Sequence, residues 1–188
     1  AKNGEQVFER NRLEQRLLQA VEKKDFTIHY QPILDDQNLH IEALEALIRW
    51  TDEELGAIEP DIFIPVAEDI GLIHPIGDWI LTHTCQQIVA WQMRDINDVK
   101  VAINISSRQF EKPDFAKQVL ATLSREQVST DSIYLELTES TFIQENPLSR
   151  KTVTCLLPCL SCGKTESKLR WMISAQVTLH SVICVTYR

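Results

Sequence analysis

The chain has 188 residues, enough for one domain with a buried core, and its fractions of hydrophobic (44%) and charged (24%) residues are ordinary for a globular protein. The formal net charge of −8 argues against nonspecific nucleic-acid binding, so DNA is not expected as a partner. No apolar run reaches membrane-spanning length and the N-terminus lacks a signal-peptide core, so we expect a cytoplasmic chain whose parent protein could still carry an anchor.

Hydrophobic periodicity predicts alternating helices and strands over residues 8–140. The predicted elements, in chain order, are a helix (8–24), a strand (26–34), a strand (41–50), a short helix (about 62–69), a helix (78–93), a strand (99–106), a helix (114–126) and a strand (132–140). Strands separated by helices indicate an α/β fold with mainly parallel strands. The short turn at 35–38 makes the first two strands antiparallel neighbours.

Alternation of side chains along a strand places polar residues of three strands on one face of the sheet. These residues are Glu45 and Arg49 in the second strand, Asn104 in the third and Glu136 in the fourth. Polar groups at the C-terminal ends of parallel strands are typical of the functional mouth of an α/β barrel. Two carboxylates and an amide oxygen favour Mg²⁺ or Mn²⁺ over zinc. The alternative interpretation is that these are solvated strand-end residues without a shared role.

Six short motifs follow one another along the chain: "YQPIL", "EALIRW", "FIPVAE", "GLIHPIGDWIL", "VAINIS" and "LELTES". In this order and spacing they resemble the EAL domain, the bacterial cyclic di-GMP phosphodiesterase. The resemblance runs from about Arg10 to Thr141, roughly the first half of that domain. It implies a modified TIM (β/α)8 barrel, truncated to about half, whose first strand is antiparallel.

The resemblance also implies roles for individual residues. The catalytic residues would be Glu45 and Glu139, the substrate-binding residues Gln31, Leu47 and Arg49, and the metal ligands Glu45, Asn104 and Glu136. Of these, Arg49 would meet a phosphate, and Glu139 would hold an active-site loop in place. The family reaction is hydrolysis of cyclic di-GMP to linear pGpG by two Mg²⁺ or Mn²⁺ ions.

The pattern breaks after about residue 148, because the Asp-Asp-Phe-Gly segment that the family requires next is absent and the last aspartate of the chain is Asp131. Residues 149–188 carry six Lys or Arg and one acid, whereas residues 1–148 carry 13 Lys or Arg and 26 Asp or Glu. We therefore divide the chain into an N-terminal part of an EAL domain (1–148) and a basic, Cys-rich tail (149–188). Our hypothesis is that a reading-frame change produced the tail, which translation of the other frames would test.

The missing aspartates bear on whether this chain is an enzyme. Without them we expect weak binding of a single cation and little or no hydrolysis, so the enzymatic activity of this chain stays open.

Two alternative functions are compatible with the sequence. One alternative is a catalytically dead EAL remnant that binds a nucleotide or a protein. The other is a zinc-tethered module built on Cys159 and Cys162, completed by Cys155 or by His180 and Cys184. The resemblance is also compatible with a homodimer and with an upstream sensory or GGDEF-type domain in a parent protein.

Overall fold

A mixed β-sheet with helices on one face organises the protein in the computed structural model. The structure describes residues 2–34, 40–138, 152–156, 170–174 and 183–186, and it describes side chains within 7–34 and 40–136. Across these residues the strands are β1 (Phe26–Leu34), β2 (Ile41–Asp52), β3 (Gly56–Ile58), β4 (Val101–Ile105), β5 (Ile133–Thr138), β6 (Thr152–Leu156), β7 (Arg170–Ser174) and β8 (Ile183–Thr186). The helices are α1 (Lys2–Lys23), α2 (Pro60–Asp69), α3 (Ile73–Gln92), α4 (Ser107–Phe110) and α5 (Phe115–Glu126).

Strand order in the sheet is β1-β2-β4-β5-β6-β7-β8, and β3 pairs with the end of β2. β1 is antiparallel to β2, while β2, β4 and β5 are parallel neighbours, as the connection lengths predict. The strands β6, β7 and β8 continue the sheet in antiparallel fashion from the far edge of β5. The tail therefore pairs with an edge that an α/β half-barrel would otherwise leave open.

The core lies between the sheet and the helices α1, α2, α3 and α5. β2 contributes Ala46, Ile48 and Trp50 to this layer, and β4 contributes Val101, Ile103 and Ile105. These two sets have the same parity along their strands, so one face of the sheet is apolar and covered, and the polar residues of the same strands lie on the other face. The helix-covered face thereby determines which side chains can form a site.

The helix and strand predictions agree with the structure except at several boundaries. Helix α3 begins at Ile73, five residues before the predicted start, and includes Pro75 in its first turn, where the missing N–H would have had no helical acceptor. The short elements β3 and α4 and the three tail strands were not predicted. Among the described residues, none of the helices combines the length and the hydropathy that a membrane-spanning segment requires.

Candidate functional site

Three polar side chains from adjacent parallel strands lie on the face of the sheet opposite the described helices. Asn104 of β4 lies directly opposite Glu136 of β5, and Glu45 of β2 lies opposite Ala102, two residues before Asn104. All three side chains are partly buried. Glu45 stands in the middle of β2, because that strand continues to Asp52, so the group does not sit at the very end of each strand.

A hydrogen bond joins two members of this group across the sheet. Asn104 Nδ2 donates to Glu45 Oε1 at 2.7 Å. The bond runs diagonally, because Glu45 is in register with Ala102 rather than with Asn104. An amide carries an acceptor oxygen as well as its donor nitrogen, so the same side chain has the chemistry to ligate a cation through Oδ1.

The third member, Glu136, has a perturbed ionisation. Burial raises the pKa of its carboxyl above the ordinary value, and the negative charge of Glu45 raises it further. Because the charge of Glu45 disfavours the ionised form of Glu136, the two side chains form an acidic pair on this face. A divalent cation would stabilise both anions, so the donor set of two carboxylates and an amide fits a hard cation such as Mg²⁺ or Mn²⁺.

Only two of these three side chains, Glu45 and Glu136, are acidic. Within the described ranges, no group of three or more His, Cys, Asp and Glu side chains is arranged to hold a metal ion. Asn104 would supply a neutral ligand to a cation, so any negative charge beyond that of Glu45 and Glu136 would have to come from other side chains or from the substrate. The arrangement is therefore compatible with one weakly held cation.

The predicted substrate-binding residues lie on the same face as this group. Gln31 of β1 is exposed and pairs directly with Glu45, and Leu47 is the next residue of β2 on that face. Arg49 follows two residues later, and its Nη1 donates to the carbonyl oxygen of Ile48 at 2.8 Å. A guanidinium has five N–H donors, so this bond occupies one of them and is compatible with contact to a phosphate.

Several residues of the predicted sites lie outside the part of the chain that the structure describes. Glu139 lies outside the described residues, and so do Cys159, Cys162 and His180 of the alternative zinc site. Cys155 and Cys184 belong to β6 and β8, whose side chains are not described. The predicted loop role of Glu139 and the zinc alternative stay predictions.

Directly beyond Asn104 lies a cluster of side chains for which the sequence predicted no role. Ser106 Oγ donates to Glu68 Oε1 at 2.5 Å, and the backbone N–H of Ser106 donates to Gln109 Oε1 at 3.1 Å. Glu68 ends the motif "FIPVAE" and Ser106 ends the motif "VAINIS". The motifs marked both residues, but only the tertiary structure shows that they contact each other.

Comparison with known proteins identifies what this arrangement is similar to. The sequence profile of the EAL domain matches residues 14–162. The chain is 38% identical over 153 residues to "Cyclic di-GMP phosphodiesterase PdeR" of Escherichia coli, covering 80% of this chain and 22% of that protein. It is 36% identical over 129 residues to "Bifunctional diguanylate cyclase/cyclic di-GMP phosphodiesterase MucR" of Pseudomonas aeruginosa, and the match covers 69% of this chain and 19% of that protein.

The solved structures give the same result for the fold. The structure titled "PaMucR Phosphodiesterase, c-di-GMP complex" superposes with a TM-score of 0.66 at 35% identity, covering 71% of this chain and 54% of that one. The fold is therefore of the EAL type, with its first strand antiparallel to the second, as the resemblance implied. The chain spans about a fifth of the length of the curated relatives it matches.

Proposed function

Because this chain belongs to the EAL domain family, we propose that it carries the first part of a cyclic di-GMP phosphodiesterase site, able to bind the nucleotide and one divalent cation. The observation that carries the proposal is the convergence of Glu45, Asn104 and Glu136 on one face, with Arg49 on the same face. The names of PdeR and MucR support the choice of cyclic di-GMP as substrate.

In this proposal each residue has the role that the resemblance to the EAL family implies, and its position on this face is compatible with that role. Glu45, Asn104 and Glu136 hold a Mg²⁺ or Mn²⁺ ion, and Arg49 binds a phosphate of the nucleotide through its planar donors. Gln31 and Leu47 contact the substrate beside that phosphate. When bound, the metal ions of the family activate a water and stabilise negative charge on the phosphodiester.

We further propose that this chain alone hydrolyses cyclic di-GMP little or not at all. After Asp131 the sequence contains no aspartate, so the Asp-Asp-Phe-Gly segment that would supply additional metal-binding carboxylates is absent. Two dications a few ångströms apart repel strongly and need several carboxylates to hold them together. A site with two glutamates is suited to one cation, which favours binding over turnover.

Equilibrium titration of the purified chain with cyclic di-GMP in Mn²⁺ tests the binding proposal. We expect measurable binding by the wild type, loss of Mn²⁺-dependent binding in Glu45→Ala, and at least tenfold weaker nucleotide binding in Arg49→Ala, since a charged hydrogen-bonded contact contributes about 1.5–3 kcal/mol. Glu53→Gln removes a charge from an exposed position and is the matched control. Failure of the wild type to bind nucleotide would refute the proposal.

Chromatography of the same incubations tests the proposal on turnover. We expect no linear dinucleotide beyond the level in protein-free samples. Accumulation of linear product that depends on Glu45 would show that the chain is an active hydrolase and would overturn the second part of the proposal.

A further inference from the structure

The position of Asn104 is only partly determined by the β-sheet. The register between β2 and β4 runs through the pairs Leu44–Val101, Glu45–Ala102 and Ala46–Ile103, and Asn104 lies beyond the last of them. On its other side, Asn104 is paired with Glu136 of β5. The pairing with β5 continues to Ile105 and Leu137. The distance from Asn104 to Glu45 therefore depends on that register and also on how the chain is held directly after β4.

The turn after β4 is held by Ser106, which is the N-cap residue of α4. Ser106 Oγ accepts a hydrogen bond from the backbone N–H of Arg108 at 3.3 Å, and its own backbone N–H is bound by Gln109 Oε1. Ser106 and Gln109 are 8% and 6% exposed, so these bonds form away from solvent. Buried polar groups of this kind hold a turn firmly because each lost bond leaves an unsatisfied group.

A carboxylate from another helix fixes the orientation of this cap. Glu68, near the end of α2, accepts the hydroxyl proton of Ser106 in a bond of 2.5 Å. A hydroxyl donating to a carboxylate forms a short, charge-assisted bond, about twice as strong as a neutral one. The bond joins residues 38 positions apart in the sequence, so it ties α2 to the end of the strand that carries Asn104.

We propose that Glu68 is a positioning residue for Asn104: by holding Ser106, it keeps the amide of Asn104 beside Glu45 and thereby preserves the cation site. This inference rests on the proposed function for the identity of the cation site, although the contact between Glu68 and Ser106 is independent of it. Glu68 does not touch the substrate or the metal ligands in this scheme, and it acts only through Ser106.

The first test measures Mn²⁺ affinity of the full chain by titration with the metal alone. Glu68→Ala should weaken Mn²⁺ binding by about tenfold or more, the range typical for the loss of a partner that orients a metal ligand. Glu68→Gln keeps an acceptor oxygen for Ser106 and should retain most of the affinity. Asp61→Ala, which removes a charge from an exposed position of the same helix, is the matched control and should bind as the wild type does.

The second test reads the side-chain amide of Asn104 directly and needs no metal. We expect the Asn104 Nδ2 proton signals in a ¹⁵N correlation spectrum, identified by their loss in Asn104→Ser, to shift in Glu68→Ala and in Ser106→Ala but not in Asp61→Ala. The double variant Glu68→Ala/Ser106→Ala should shift them no further than the larger single change, because both substitutions remove the same bond.

The two tests separate the two claims. If the wild type binds no Mn²⁺, the proposed cation site is wrong, while the amide signals still decide whether Glu68 positions Asn104. Unchanged Asn104 signals in folded Glu68→Ala, or additive shifts in the double variant, would overturn the positioning role. An equal loss of Mn²⁺ affinity in Asp61→Ala would also overturn it, because the effect would then be one of net charge alone.

Discussion

Glu45 and Asn104 contact each other across two parallel strands although they are not in register, with Asn104 Nδ2 placed 2.7 Å from Glu45 Oε1. Through this diagonal bond the carboxylate of Glu45 has a neutral donor beside it, at a position where an acidic side chain would repel it. The amide therefore allows this face to contain a carboxylate pair, Glu45 and Glu136, without a third negative charge.

Replacement of this amide by a carboxylate should make folding depend on a cation. Asn104→Asp exchanges the donor for a third acid next to Glu45, so we expect the free energy of unfolding to fall by about 1–3 kcal/mol without metal, the usual cost of leaving a buried partner unsatisfied. Mn²⁺ should restore much of that loss, since a ligand at 100 times its Kd stabilises by about 2.7 kcal/mol. Thermal unfolding with and without Mn²⁺ measures both effects.

Asn104→Ser is the control, because it removes the amide without adding charge. If Mn²⁺ stabilises the serine and aspartate variants equally, charge at position 104 is not what couples the cation to folding.

Glu136 should reduce stability at neutral pH. Burial and the charge of Glu45 raise the pKa of its carboxyl, so the folded protein favours the protonated form. Protonated Glu136 stabilises the fold fully below the pKa of the unfolded chain, and this stabilisation is lost as the pH rises through the higher folded pKa. In metal-free buffer, Glu136→Gln should therefore have a higher urea midpoint than the wild type at pH 7. The two proteins should converge as the pH falls below the ordinary glutamate range.

Urea titrations at a series of pH values would measure this difference. A wild type that is more stable than Glu136→Gln at pH 7 in the absence of metal would contradict the raised pKa.

Asp52 should stabilise the protein at neutral pH and lose this effect in acid, the reverse of Glu136. Burial alone would raise the pKa of this carboxyl, but hydrogen bonds from Arg16 and from the backbone N–H groups of Leu55 and Glu54 outweigh it, and the pKa lies below the ordinary value. The stabilisation is present above the unfolded pKa and is lost as the pH falls through the folded pKa. Asp52→Asn should thus unfold at lower urea than the wild type at pH 7.

The difference between the two proteins should shrink on acidification. Glu53→Gln, which removes the same negative charge from the neighbouring exposed position, should leave the urea midpoint nearly unchanged. A pH-independent difference for Asp52→Asn would indicate that packing, and not the ionised carboxyl, accounts for the effect.

Replacement of Gly77 by a larger residue should destabilise the protein, because α3 approaches the side chain of Gln109 at this point. A Cβ atom at Gly77 would lie 1.8 Å from Gln109 Nε2, so Gly77→Ala must displace the side chain that binds Ser106. We expect a loss of about 1–3 kcal/mol from overpacking, in place of the gain of about 0.5–1 kcal/mol usual for alanine over glycine within a helix.

The double variant Gly77→Ala/Gln109→Ala checks the cause of that loss by urea unfolding. If the clash is responsible, alanine at position 77 should cost nothing further once Gln109 has been shortened. Equal costs in the two backgrounds would show that the side chain of Gln109 is not what excludes a larger residue.

The local pattern of the chain was sufficient to predict most of the α/β arrangement. Alternation in β2, β4 and β5 separated Ile48 and Ile103 from Glu45 and Asn104, because side chains of one strand alternate between two faces wherever one face is buried. The short sequence that connects β1 to β2 likewise predicted their antiparallel pairing. Elements of only three or four residues, such as β3 and α4, carry too little periodicity to be recognised in this way.

By itself, the sequence determined the family, the face on which Glu45, Asn104 and Glu136 lie, and the absence of an aspartate after Asp131. Only the tertiary structure decided that Asn104 bonds Glu45 diagonally and that Glu68 holds Ser106. Strand periodicity is a local property of neighbouring residues, whereas these contacts join residues 59 and 38 positions apart and depend on strand register and on the packing of α2 against the sheet.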